Sequence, residues 1–261
     1  MQILVLTKPV PDPAAGSERL GPDFRLDRAA SPTVVNGNDE YALEAALQLV
    51  EAHGGEVSIL TMAPANAPET MRKALAMGAQ RGVLVSDPAL AGADIPTTIR
   101  VLAAAAARET FDLLLAGLDT SDGTSGAVAS GVALRLGLPL LSSAGAILPD
   151  PDAGSVRVHR LTAKGYDVVE GPMPCVISCT QVLGAPRYPS LKGIMAARSR
   201  EIVTLGLGDL GDDLAPADGA WATSVVSADP PPTRAAGRVV TGGAADAARE
   251  IADFLADRRL I

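Results

Sequence analysis

Aromatic residues make up only 3% of this 261-residue chain, and it has two cysteines and two histidines. With so few rings, the core has to be built from aliphatic side chains. Two thiols cannot form a disulfide framework. Cys175 and Cys179 sit four apart in the segment PCVISC. On one strand they share a face but lie too far apart to bond, so they read as small buried hydrophobes. His53 and His159 have no ligand-type spacing around them, and no metal site is expected. Basic charge is also short: 22 Lys and Arg against 30 Asp and Glu leave a net charge of −8. That balance argues against a nucleic-acid partner, which requires a cationic face. No apolar run approaches the roughly 20 residues of a membrane span; residues 101–107 are far too few. The N-terminal QILVLT lacks the basic start of a signal peptide. A soluble, cytoplasmic protein is expected. No Ser–His–Asp arrangement, acid–base carboxylate pair or activated cysteine can be argued from spacing. No catalytic residue is expected, which favours a carrier or binding protein over an enzyme.

What the chain does have is 48% hydrophobic residues in a regular alternation. Strands are expected over residues 2–7, 56–61, 81–86 and 111–116. Between them, helices are expected over 39–53, from Pro68 to just before Gly78, and over 96–109. The first helix has Asn38 or Asp39 as its N-cap, and a stripe at 42, 43, 46, 47 and 50. The prolines at 9, 11 and 13 are expected to stop the first strand. A long irregular excursion follows, with a short ribbon near Phe24. This order predicts a doubly wound, mostly parallel α/β sheet of Rossmann-like type. Ligands then bind at the carboxyl ends of the strands. Three loops stand there: Lys8 onward, Met62-Ala63-Pro64, and residues 117–126.

The stretch from 111 to 139 organises the rest. An apolar strand runs into GLDTSDGTSG, then into a small-residue helix that stops at Gly137. Glycines let a backbone approach a ligand, and the first amides of a helix are unpaired, so such a loop can hold an anion. No Lys follows Gly123, so this is not a Walker A loop. Asp119 and Asp122 would repel a polyphosphate. Asp122 could instead cap the helix or accept from a ribose hydroxyl. A monophosphate or a well-shielded diphosphate suits the loop best. Beyond Pro139, residues 155–170 read as a hairpin and 174–180 as a buried strand. Leu191, Ile194 and Met195 then recur at helical spacing in PRYPSLKGIM, and a last helix spans about 244–258.

Several stretches carry a resemblance: KPVPD at 8–12, NGNDEYA at 36–42 and ETMRKALAMGAQRG at 69–82. To these add the 117–126 loop, APRYPSLKGIMAARSR at 185–200, GDLG at 208–211 and DPPPTRAAG near the end. Together they resemble the electron transfer flavoprotein beta (small) subunits over nearly the whole chain. The signature region at 158–178 fits at Val158, Arg160, Gly165, Val169, Pro174, Val176, Ile177 and Ser178. It departs at Ala163, Lys164 and Asp167. The 117–126 loop departs at Leu118 and Asp119 and is about a residue shorter than common versions.

The resemblance implies an adenine nucleotide alpha-hydrolase-like fold and a heterodimer with an alpha subunit. FAD is then shared with, or held by, alpha, and an AMP is buried in this chain. AMP contacts would fall on Leu6, Asn36, Asp39, Met62, Asp122, Gly123, Thr124, Ser125, Gly126, Ala127 and Val128. A recognition loop for acyl-CoA and related dehydrogenases would span 183–203, with Leu191 as anchor beside Ile194 and Met195. Residues 1–182 would be the nucleotide-binding domain, and 204–261 a C-terminal extension packing on alpha. Two alternatives stay open: an ATP-binding hydrolase or stress-type nucleotide sensor of the same fold, or a bifurcating relative with a second FAD in place of AMP.

Overall fold

The structure is a computed structural model. It describes residues 1–16, 19–28, 32–211, 214, 221–229, 232–233, 237 and 239–261. The chain opens with β1 (Gln2–Leu6), β2 (Pro9–Pro11), β3 (Thr33–Val35), α1 (Gly37–His53), β4 (Glu56–Met62), α2 (Pro68–Met77) and β5 (Arg81–Val85). It continues with α3 (Ile95–Ala106), β6 (Leu113–Gly117), α4 (Val128–Leu136), β7 (Leu140–Asp150), β8 (Ser155–Thr162), β9 (Gly165–Pro172) and β10 (Cys175–Cys179). It closes with α5 (Leu191–Ala197), β11 (Ile202–Leu205), α6 (Leu207–Leu210) and α7 (Ala244–Asp257).

Nine strands form one sheet in the order β11-β5-β4-β1-β6-β10-β7-β8-β9. From β11 to β7 every pairing is parallel, and β7-β8-β9 adds an antiparallel end. The expected doubly wound, mostly parallel sheet is therefore present. Alternate residues of β1 explain the two layers. Ile3 and Val5 pack with α1 and α2, whereas Leu4 and Leu6 pack with α3 and α4. Leu113, Leu114 and Leu115 are all fully buried because β6 is covered on both faces. Each such leucine contributes about 1.5–3 kcal/mol.

Three local expectations are corrected. β1 does stop ahead of the prolines, at Leu6, but the path after it is not wholly irregular: Pro9 and Pro11 pair with Val35 and Thr33 in a separate two-stranded ribbon. In that ribbon Lys8 O accepts from Asn36 N, and Asp12 N donates to Pro32 O. Residues 8 and 12 therefore face the partner, while the alternate prolines turn outward the side that lacks an N–H. The N-cap of α1 is Asn36, not Asn38 or Asp39, and its side chain makes no capping bond. Finally, α4 is preceded by Ala127 without a side-chain cap, so Asp122 does not cap it.

Strands β3, β7 and β11 were not expected. β7 contains the turn-like run Ser142-Ser143-Ala144-Gly145, and its register shifts between Ala144 and Ala146, which blurs its alternation. β11 is a four-residue edge strand beside β5.

The described residues divide into two units, 1–226 and 227–261. The second contains α7, with Ile251 and Phe254 exposed and the Arg258 guanidinium 4.3 Å from the Phe254 ring centre.

Candidate functional site

β1 lies between β4 and β6, with Leu6 opposite Leu60 on one side and Ala116 on the other. The chain winds outward from β1 through β4 to β5, then returns to β6 across β1. The carboxyl ends of these strands therefore flank the switch point. There the structure gathers Thr7 and Lys8, Asn36 to Asp39 at the start of α1, Thr61, and the 117–124 loop.

The start of α1 grips the loop. Asn36 Nδ2 donates to the Asp119 carbonyl at 2.9 Å, and its Oδ1 accepts from Ser121 N at 3.1 Å. Asn38 donates to the same carbonyl at 3.3 Å and to the Asp119 carboxylate. This explains why Asn36 does not cap its own helix: its side chain is committed to the loop. Gly117 makes the approach possible, since an added Cβ would lie 2.5 Å from Asp39 Oδ1 and 2.7 Å from the Asn38 carbonyl carbon.

Two carboxylates have opposite electrostatics. Asp39 is buried, and burial pushes its carboxyl up to about 7. Bonds from Asn36, from the Lys8 amide at 2.8 Å and from the Gly117 backbone oppose that rise only in part. The Asp122 side chain is only 2% exposed, yet it receives Lys8 Nζ at 2.8 Å and Arg28 Nη2 at 2.5 Å. Burial would raise its carboxyl, but the two cations outweigh that and hold it at about 2. Asp122 is thus an anion matched by two cations, and its repulsion of a phosphate is largely cancelled. Lys8 Nζ also reaches Thr120 Oγ1 at 3.4 Å. A loop without a lysine of its own receives one from the end of β1.

The remaining expected nucleotide contacts are distributed around this point. Gly123, Thr124, Ser125 and Gly126 are exposed, and Ala127 and Val128 half-buried at the start of α4. Thr124 and Gly126 have positive φ, 44° and 59°, a winding that turns the chain tightly before the helix. Met62 is half-buried, and Leu6 is buried in the core layer facing α3 and α4, so its side chain belongs to packing. Beside them Thr7 and Thr61 share a 2.6 Å hydroxyl bond. Arg28, Asn38, Thr7 and Thr61 were not singled out as site residues by sequence, and Lys8 was marked only as the start of a candidate ligand loop. The signal available was the pairing of a proline-flanked lysine with an acidic loop, but 114 residues separate Lys8 from Asp122.

Leu191, Ile194 and Met195 are not part of this cluster. They stand exposed on α5, which Ser190 caps by accepting from Gly193 N at 3.0 Å. Cys175 and Cys179 are buried free thiols, and burial pushes Cys175 up to about 12. Among the described residues, no three His, Cys, Asp or Glu side chains form a metal-binding group, and no helix is long and apolar enough to cross a membrane.

Residues 23–210 match the family model described as the electron transfer flavoprotein domain. The chain is 35% identical to the electron transfer flavoprotein subunit beta of Mycobacterium tuberculosis, over 99% of both chains. The chain belongs to the electron transfer flavoprotein beta-subunit family. A beta subunit from Thermoanaerobacterium thermosaccharolyticum is 33% identical over the whole of both chains. The caffeyl-CoA reductase-Etf complex subunit CarD of Acetobacterium woodii is 37% identical over 93% of this chain and 92% of its own. Membership makes this an electron-transfer subunit of a flavoprotein with an alpha-subunit counterpart.

Proposed function

We propose that the chain is the beta half of a heterodimeric carrier that takes electrons from dehydrogenases, acyl-CoA dehydrogenases among them, and holds an AMP as a structural nucleotide. FAD, bound with the alpha subunit, would supply the redox chemistry. The observation that carries the AMP reading is the neutralisation of Asp122 by Lys8 and Arg28 beside exposed loop residues at the head of α4. Lys8 and Arg28 balance Asp122 and Asp119 in charge, so the loop repels a single phosphate little but offers no surplus cation for a triphosphate chain. In this reading, residues 123–128 cradle the phosphate with backbone amides. Asn36 holds the loop in place, and Asp39, Leu6 and Met62 frame the nucleoside with their backbone or side chains.

The reading further assigns residues 1–182 to nucleotide binding and 183–203 to docking dehydrogenases, with Leu191, Ile194 and Met195 as contacts. Residues 204–261 would pack on alpha. Co-expression with the alpha subunit, followed by extraction of the nucleotides from the purified complex, tests it. One FAD and one AMP per heterodimer are expected. Two flavins would replace the AMP reading with the bifurcating one, and ATP turnover by the chain alone would revive the hydrolase.

A further inference from the structure

The segment from the end of β10 through α5 carries an exposed apolar set. Tyr188 is 96% exposed, Leu191 78%, Met195 57% and Ile194 44%. Both ends of this segment are tied by arginines. At the far end Arg72 donates to the carbonyls of Ala197 and Arg200, and Arg200 donates to those of Leu75 and Ala79. α5 is also pressed on α2, because a Cβ on Gly193 would lie 2.3 Å from the Ala76 carbonyl oxygen.

The near end depends on Arg187. Its Nε donates to Glu44 Oε2 at 2.7 Å and its Nη2 to Glu44 Oε1 at 3.0 Å. Its backbone N–H adds a bond to Glu44 Oε2 at 3.1 Å. Two more bonds, at 2.5 and 3.0 Å, reach Glu51. Glu44 is a buried carboxylate of α1, 5% exposed, beside the core stripe and flanked in sequence by buried Leu43 and Ala45. A buried carboxylate is costly unless its lone pairs are filled. Apart from Gln48 at 2.9 Å, its partner is Arg187. Burial would raise the Glu44 carboxyl, yet these bonds hold it below the ordinary carboxylate range. Pro186 and Pro189 stiffen the backbone on either side of Arg187.

We propose that Arg187 is a positioning residue for dehydrogenase docking: its fork onto Glu44 and Glu51 fixes the arm to α1, so that Leu191 is presented in one orientation. This rests on the docking reading given above. An arm ordered before encounter spares the complex the entropy of ordering it on binding. The same helix grips the nucleotide loop with Asn36 and Asn38, so the arm and the nucleotide site share one rigid element.

The test uses the full heterodimer as acceptor for an acyl-CoA dehydrogenase and its acyl-CoA. Amide hydrogen exchange over residues 188–196 is measured alongside. Arg187→Ala is expected to raise that exchange about tenfold and the KM for the carrier about fivefold. kcat at saturation and flavin and nucleotide content should stay unchanged. Arg187→Lys should restore only part, because it loses the planar fork. Combined with Leu191→Ala, Arg187→Ala should add nothing, since orientation matters only while the anchor is present. Should Arg187→Ala fold poorly by stranding Glu44, Glu51→Gln removes the exposed half of the fork and is expected to raise KM about twofold. If Leu191→Ala raises KM while Arg187→Ala and Glu51→Gln leave both KM and exchange unchanged, the positioning role is overturned and the docking reading survives. If Leu191→Ala itself leaves KM unchanged, the docking reading falls and the proposal with it.

Discussion

Asp39 and Asp122 share one loop cluster but respond to pH in opposite ways. Folding raises the Asp39 carboxyl from its usual 3.8 to about 7. Its contribution to stability is therefore complete below about pH 4 and is lost as pH rises through 7. Asp122 is lowered from 3.8 to about 2. It stabilises above about pH 4, and that gain is lost as pH falls through 2. Asp39→Asn keeps an acceptor for the Lys8 amide without burying a charge. It is expected to raise Tm at pH 8 and to change it little near pH 4. Asp122→Asn leaves Lys8 and Arg28 facing a neutral amide and is expected to cost about 2 kcal/mol at pH 7, with the difference shrinking as pH falls towards 2. Thermal melts of the two variants across pH 3–8 check both signs together. Equal pH profiles for the two variants would show that the carboxylates are not held in these different environments.

At the scale of elements, the site depends on how closely α1 approaches the end of β6. Gly117 is the contact point, and its missing side chain is what lets Asn38 and Asp39 lie against the strand. Gly117→Ala would push the head of α1 outward, at a cost of about 1–3 kcal/mol. It would also separate Asn36 and Asn38 from the Asp119 carbonyl. The expected result is lower stability together with loss of the nucleotide proposed to bind there, read by denaturant melts and by nucleotide extraction. Gly137, at a φ of 67° after α4, is a helix stop of the usual left-handed kind and is distant from this approach. Gly137→Ala is a matched control, expected to lose stability without losing nucleotide.

For the whole molecule, the division after Val226 makes a prediction about partners. The nine-stranded sheet and the cluster around the 117–124 loop lie wholly in the first unit. A chain ending at Val226 is expected to keep its far-ultraviolet circular dichroism per residue of sheet. If residues 204–261 pack on alpha as proposed, its affinity for the alpha subunit should fall by about tenfold or more, since α7 exposes Ile251 and Phe254. Titration of the truncated chain against the alpha subunit, followed by size-exclusion chromatography, measures this. Undiminished association would move the alpha-binding surface into residues 1–226.

Local patterns in the chain were enough for the alternation of strands and helices, the buried run at 113–115, the Gly137 stop, the 155–170 hairpin and the helical spacing of Leu191, Ile194 and Met195, whereas the exposure of that triplet is not encoded by its spacing, which fits a core-facing stripe equally well. Each is a local pattern: a two-residue or 3.6-residue period, a glycine after a helix, an apolar triplet in a proline-rich segment. The three loops at strand ends were legible for the same reason, because a parallel order sends them to one edge. Which side chains meet there follows from the packing of distant elements. Lys8 pairs with Asp122, Asn36 with the Asp119 carbonyl, and Arg187 with Glu44. These contacts join residues about 80 to 140 positions apart, and no local period encodes them. The same holds for β11, whose four residues become a strand only because β5 offers a free edge. Patterning assigns residues to faces, but the ionisation of Asp39 and Asp122 beside the 117–124 loop depends on burial and pairing, which exist only once the layers have packed.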